Sequence, residues 1–277
     1  MLQCGLLRLR RCGPDRDSRG SAAFGRIVRV VTPPRPRLLL VPLLTELEWV
    51  IRPQLEEWAE VATFDVPGVG GEPPVEPLDR EAIIDRALAE LDRRGWDSYV
   101  LVCDGSALPV GVRVAAERPE AVECMALGHA RLANRMEGDR PTINREVMEA
   151  FAQLGESNFP DFVRYGLTQV THGSIGDELA TRMLERVPLD LGRAVWEMNL
   201  RDSEPFEHLI RDVDVPLLFA KHEGCLANTE EAFEDAVAAF PEARTVSVPE
   251  APSVSTEYAN ALREFCLALS ETGTRTG

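Results

Sequence analysis

Three short polar clusters in this sequence each lie just beyond an apolar run. Cys103-Asp104-Gly105-Ser106 follows Tyr99-Val-Leu-Val102, Gly128-His129 follows Val122–Leu127, and His222-Glu223-Gly224-Cys225 comes just after Val215–Ala220. Between them they offer a nucleophile (Asp104 or Ser106), a base (His129 or His222) and a carboxylate to orient the base (Glu223), which is the set nucleophilic catalysis requires. Asp104, His129 and His222 would also make three donors for a metal. None of them share a short ligand spacing, however, and neither a metal nor a cofactor is expected. A histidine at a strand end is usually a hydrogen-bonded structural residue. Two at adjacent strand ends point to a polar pocket, and weigh towards binding over catalysis. Cys103 and Cys225 read as small buried fillers. His208 falls on a charged helix and is expected in solvent; His172 fits a pocket wall and a surface loop equally well. Lys221 is the single lysine and has no evident Schiff-base role.

The elements that must position these clusters are legible from periodicity. Leu38-Leu-Leu-Val41 is a continuous apolar run, as expected for a strand buried on both faces. A helix over Glu46–Ala59 and a strand over Val61–Phe64 follow. Asp79 is placed to cap a helix that runs to Arg94 and ends at Gly95. Tyr99–Val102 is a strand, Ala107–Glu117 a helix and Val122–Leu127 a strand. Strands alternating with helices imply an α/β protein with a mostly parallel sheet covered on both faces. The alternation then stops. From 134 to 212 the chain reads as successive helices, with Asn144 capping one and Ser174-Ile-Gly-Asp177 opening another. This block is expected to form a cap over the carboxyl edge of the sheet, supplied with Phe151, Phe159, Phe162, Tyr165, Met183 and Trp196. Strand pattern returns at Val215–Ala220 and Arg244–Val248, with an Asn228-capped helix to Phe240 between them and a last helix from Thr256 to Leu269. The domain reading is therefore a core over 21–133 and 213–270, a helical cap over 134–212, a flexible tail over 1–20 and a frayed end over 271–277. An edge strand is expected at Arg26–Val31.

Composition narrows the function classes. The 277 residues are enough for a sizeable core, and the formal net charge of −16 disfavours nucleic acid and anionic membranes as partners. The six cysteines form no C-x-x-C pair and are spread through apolar segments, as in reduced thiols of a cytoplasmic protein.

Several local motifs, in this order, resemble the α/β-hydrolase superfamily over roughly 26–269. Asp65-Val-Pro-Gly-Val-Gly70 looks like its D-x-P-G-x-G loop, Gly95–Val102 like the approach to its nucleophile elbow, and Ala115-Ala-Glu-Arg-Pro-Glu-Ala-Val122 like the exit from the helix behind that elbow. Asp214–Ala220 and Phe240-Pro-Glu-Ala-Arg244 resemble the strand before the catalytic acid and the turn before the last strand. The resemblance puts Gly105 at the nucleophile position, with Ser106 one residue late and Asp104 one early. It puts Gly224 at the acid position, with Glu223 beside it, and Ser253 at the histidine position. No histidine follows His222. The family's first oxyanion loop is replaced by Pro42-Leu43, in which proline has no N–H. All three triad positions are vacated, so ordinary serine-hydrolase chemistry is not expected.

Two functions compete on this reading. One is a non-catalytic small-molecule-binding or accessory protein, with Pro42, Leu43, Leu44, Gly105, Cys225 and Ser253 lining the pocket. The other is a hydrolase of a small ester, amide, epoxide or carbon–carbon bond, using Asp104 or Ser106 with His129 or His222. The partner expected in either case is a small apolar ligand or substrate. A third reading is a purely structural oligomerisation module, with a homodimer as the assembly considered. A polar atom of Asp104 or Ser106 within hydrogen-bond reach of a histidine would favour the enzyme; a leucine-plugged cavity would favour the inert protein.

Overall fold

The computed structural model describes residues 35–171, 176–201 and 204–273. The strand expected at Arg26–Val31, the tail over 1–20, His172 and the opening of the Ser174–Asp177 capping box lie outside the described residues.

The fold starts from apolar runs. In β1 (Arg37–Val41), Leu39 and Val41 enter one core layer and Leu38 and Leu40 the other, all fully buried. β3 (Tyr99–Asp104) and β4 (Val122–Gly128) divide in the same way, with Leu101 and Met125 on one face and Val102 and Ala126 on the other. Such strands suit the centre of a parallel sheet, where helices cover both sides. With β2 (Glu60–Ala62), β5 (Leu217–His222) and β6 (Arg244–Val248) they make one six-stranded, wholly parallel sheet in the order β2-β1-β3-β4-β5-β6. The α/β architecture and the parallel sheet expected from the alternation are present.

The helices form largely where the sequence placed them. α2 (Arg80–Arg94) is capped by the Asp79 side chain on Ala82 N–H at 2.9 Å and closed by left-handed Gly95. α3 (Leu108–Glu117) follows β3. The helix expected over 46–59 is instead a 3-10 turn, Glu46–Glu48, and a short α1 (Arg52–Glu56). Thr45 and Glu48 close a capping box on the turn, and Pro53, which cannot donate an N–H, starts a new helix rather than continuing one. Between β4 and β5 lie α4 (Arg145–Ser157), capped by Asn144, α5 (Phe159–Val170), α6 (Gly176–Arg186), α7 (Leu189–Arg201) and α8 (Glu207–Val213). The side-chain cap of α9 (Glu230–Ala239) is Thr229, one residue beyond the expected Asn228. α10 runs from Thr256 to Gly273, four residues past the expected end and into the stretch expected to fray. Among the described residues, no helix is long and apolar enough to cross a membrane.

The helical insertion is held to the sheet through Arg186 of α6. Its guanidinium pairs with Asp65, in the loop after β2, and with Glu46. Asp65 in turn accepts from Thr45 Oγ1 at 2.7 Å and Glu46 N–H at 3.1 Å. One buried carboxylate thus ties two loops of the sheet's carboxyl edge to the insertion above them.

Candidate functional site

The carboxyl ends of β1, β3, β4 and β5, with α4, α5, α6 and α7, enclose a cavity of about 310 Å³. Five of the six large residues expected in the insertion line it: Phe151, Phe159, Phe162, Met183 and Trp196. Tyr165 is exposed. Leu43, Leu44, Gly105, Cys225 and Ser253 line it; Pro42 is buried and does not. The cavity is open rather than filled by leucine.

The strand-to-helix turn after β3 settles the register of the polar residues. Gly105 sits at φ +54°, the left-handed conformation that glycine adopts without the cost an L side chain incurs. It is the tip of the bend, and Ser106 is the next residue along the 3-10 turn Gly105–Ala107. Ser106 lines the cavity, and among the described residues no hydrogen bond joins it to either histidine. Buried Arg131 braces the bend by donating to Gly105 O at 2.9 Å, and itself packs on Asn134 Oδ1 at 2.7 Å.

Asp104, the last residue of β3, turns towards β4 rather than up from the bend. Its register partner is Gly128, and a Cβ there would fall 2.5 Å from Asp104 Oδ1, so only glycine leaves room for the carboxylate. Oδ1 meets His129 Nδ1 at 2.6 Å, and Oδ2 accepts from Ser253 N–H at 3.1 Å. The Asp104 and His129 side chains are 10 % and 9 % exposed, so the contact is shielded from water. His129 itself has φ +50°, an unfavourable conformation for a non-glycine residue that is held by its partners. Its other nitrogen, Nε2, lies 3.1 Å from His222 Nδ1, with the two rings nearly perpendicular at 84°. Cys225, in the loop after β5, completes the group: donor atoms of His129, His222 and Cys225 all lie within 4.8 Å of one another. Asn228 Nδ2 reaches His129 O at 3.4 Å and draws that loop against β4.

The electrostatics follow from burial and proximity. Burial alone would raise the Asp104 carboxyl, but the charge and hydrogen bond of His129, with the Ser253 contacts, hold it below its ordinary value. Burial would depress His129; Asp104 first, then Cys225, overcome this and push it up to about 10. The Cys225 thiol, which burial would raise, is brought down to about 5 by hydrogen bonds from His129 and His222. Cys225 is thus half-buried beside two histidines, not in the apolar packing expected of it. Cys103 is the buried filler expected: burial drives its thiol far up.

A second feature was missed by sequence reasoning. Glu48 turns its carboxylate back onto the loop after β1, accepting from Leu43 N–H at 2.7 Å, Leu44 N–H at 2.8 Å and Thr45 N–H at 3.2 Å. Burial outweighs these three bonds, and with the charge of Asp104 nearby the carboxyl rises to about 7. The backbone donors in the place of the first oxyanion loop are thus satisfied from within the chain. The only sequence signal was Thr45 three residues before Glu48, a capping-box spacing inside a stretch that reads as plain helix.

The remaining candidates fall elsewhere. Glu223 is exposed, lines neither this cavity nor the smaller polar one beside it, and uses its N–H on Val248 O at 2.9 Å. The carboxylate that orients a histidine is Asp104, because it projects from the strand next to His129 while Glu223 points out beyond β5. His208 is exposed on α8, and Lys221 pairs with Glu230.

No protein-family model matches the sequence, and no curated protein matches it by sequence. Solved structures do match the fold. A thermophilic esterase from Thermogutta terrifontis superposes with a TM-score of 0.66 at 19% identity, over 85% of this chain and 90% of the esterase. The enol-lactonase from Burkholderia xenovorans gives 0.62 at 17% identity, over 86% and 92%. An alpha/beta hydrolase enzyme from a Medee basin deep-sea metagenome library gives 0.63 at 11% identity, over 88% and 92%.

Proposed function

We propose that this chain, which has the α/β-hydrolase fold, is a hydrolase of a small, mainly apolar molecule whose reactive centre has moved from the elbow to Asp104, His129, His222 and Cys225. The observation that carries the reading is the 2.6 Å contact between Asp104 Oδ1 and His129 Nδ1, shielded from water at the cavity wall. A buried carboxylate fixes the orientation of an imidazole, and its other nitrogen here lies against His222 Nδ1 at the cavity wall. The apolar lining under the helical cap fits a small ester, amide, epoxide or ketone, and its volume falls in the range of small-molecule sites. Serine chemistry at the elbow has no support: Gly105 carries no nucleophile, and among the described residues Ser106 has no histidine hydrogen-bonded to it. A reducing, cytoplasmic setting fits the free thiols of Cys103, Cys124, Cys225 and Cys266.

The test is turnover of a panel of p-nitrophenyl esters, acetate to octanoate, by purified protein. His129→Ala and His222→Ala should each abolish hydrolysis while circular dichroism stays that of the folded chain. Wild-type turnover in both variants would end the reading.

One observation favours a second reading, a non-catalytic ligand-binding protein. The Leu43 and Leu44 N–H groups, which a hydrolase of this fold would use to hold a developing oxyanion, are taken up by Glu48. Saturable binding of a fluorescent fatty acid, with no ester turned over by the wild type, is the result expected of it.

A further inference from the structure

Three side chains bring donor atoms together beside His129. Asp104 engages His129 Nδ1, and Nε2 faces His222 Nδ1 at 3.1 Å. A proton shared between the two nitrogens would satisfy that pair alone. Yet Cys225 Sγ converges on the same point, within 4.8 Å of both. The rings stand edge to face at 84°. Zn–N bonds of about 2.0–2.1 Å at tetrahedral angles place two ligating nitrogens roughly 3.3 Å apart, close to what is seen.

We propose that His129 Nε2, His222 Nδ1 and Cys225 Sγ bind one first-row transition-metal ion of the zinc class, with Asp104 behind His129 and a fourth position open. Two imidazoles and one thiolate suit zinc, not the hard cations magnesium and calcium, which prefer oxygen. Three protein ligands with one position left over is the pattern of catalytic rather than structural zinc sites. The carboxylate–imidazole contact is the outer-shell arrangement that fixes a ligating histidine. All three donors line both the apolar cavity and the smaller one of about 190 Å³ beside it, where Asn228, Thr229 and Glu230 give a hydrated ion a polar approach. His222 and Cys225 are three residues apart in sequence, but His129 comes from the end of β4, so the full set is assembled only by the pairing of β4 with β5.

The metal site rests on the same cluster as the proposed chemistry, so binding and turnover are measured separately. Chelator-treated full-length protein is titrated with zinc chloride by calorimetry, and in parallel with cobalt chloride by absorption spectroscopy. One equivalent per chain is expected. Cobalt should show visible d–d bands of tetrahedral intensity and a thiolate charge-transfer band in the near ultraviolet. Cys225→Ser should lose that band, and His129→Ala and His222→Ala should each weaken zinc by at least about 100-fold. Asp104→Asn should weaken it by roughly 10–100-fold. His208→Ala, on exposed α8, should leave affinity unchanged. The wild-type cobalt spectrum tests the site even where a variant fails to fold. Zinc bound without ester turnover supports the site and removes the hydrolase. Turnover by metal-free protein, with no saturable zinc or cobalt binding, overturns the site and leaves the hydrolase standing.

Discussion

Two sides of the cavity rim handle buried polar groups in opposite ways. At the β1 side, Leu43, Leu44 and Thr45 direct three N–H groups at one carboxylate, Glu48, and the account closes within six residues of chain. At the β3–β5 side, Asp104, His129 and the pair His222 and Cys225 come from three separate segments, and three of the four residues bring donor atoms within 4.8 Å of one another. The first side is a satisfied local motif. The second is a long-range constellation in which two residues accept unfavourable or tightly crowded backbone, His129 at φ +50° and Gly128 beneath the Asp104 carboxylate. Structures hold such conformations only where the surroundings over-determine them, and these cluster at functional sites. The difference teaches where the proposed chemistry of this chain is to be sought: towards β4 and β5 rather than at the bend after β3.

The largest effect expected from breaking this contrast is at Asp104. Asp104→Ala leaves His129 buried without its carboxylate and should cost about 3 kcal/mol, read by urea unfolding; Ser106→Ala should stay within about 0.5 kcal/mol. Equal costs would mean the cluster is no more than ordinary packing. Next comes Glu48→Ala, which strips three N–H groups of their acceptor and should cost about 1–3 kcal/mol. It also frees the Leu43 and Leu44 donors, so ester turnover should rise if they retain any oxyanion-holding capacity, and unchanged turnover would mark that side as scaffold.

A smaller, pH-dependent effect belongs to the same residue. The folded chain holds the Glu48 proton more tightly than the unfolded chain does, with the carboxyl at about 7 against an ordinary 4.5. Its contribution to stability is full below about 4.5 and is lost as pH rises through about 7. Subtracting the melting profile of Glu48→Gln from that of the wild type should reveal this fall, isolated from Asp104, whose lowered carboxyl acts in the opposite sense at more acid pH. A flat difference would show that the three N–H bonds, not burial, govern Glu48. The smallest effect is at the elbow. Gly105→Ala forces an L residue to φ +54° and should cost about 1 kcal/mol. Gly105→Ser should not create an esterase, because His129 Nδ1, 3.8 Å from where its Cβ would lie, already bonds Asp104. A burst of p-nitrophenol from that variant would show that the elbow still commands a base.

By itself the sequence determined the sheet and the helices flanking it. Buried parallel strands are written as unbroken apolar runs, and caps as Asp79, Gly95 and Asn144. These are local or compositional signals, so they survive without neighbours. It also named Asp104, His129 and His222, since residues just past strand ends must project at one edge. Which of them touch, and through what atoms, only the tertiary structure decided. Asp104 and His129 are 25 residues apart and His129 and His222 are 93, and their contact depends on the register of β3, β4 and β5. Cys225 looked like a small filler because a thiol's role is set by what stands beside it. Glu223 looked like the orienting acid because adjacency in sequence does not reveal which side of a strand end a carboxylate faces. Glu48 was hidden by a helix pattern that Pro53 interrupts, so its return onto the loop after β1 became visible only once the chain was folded.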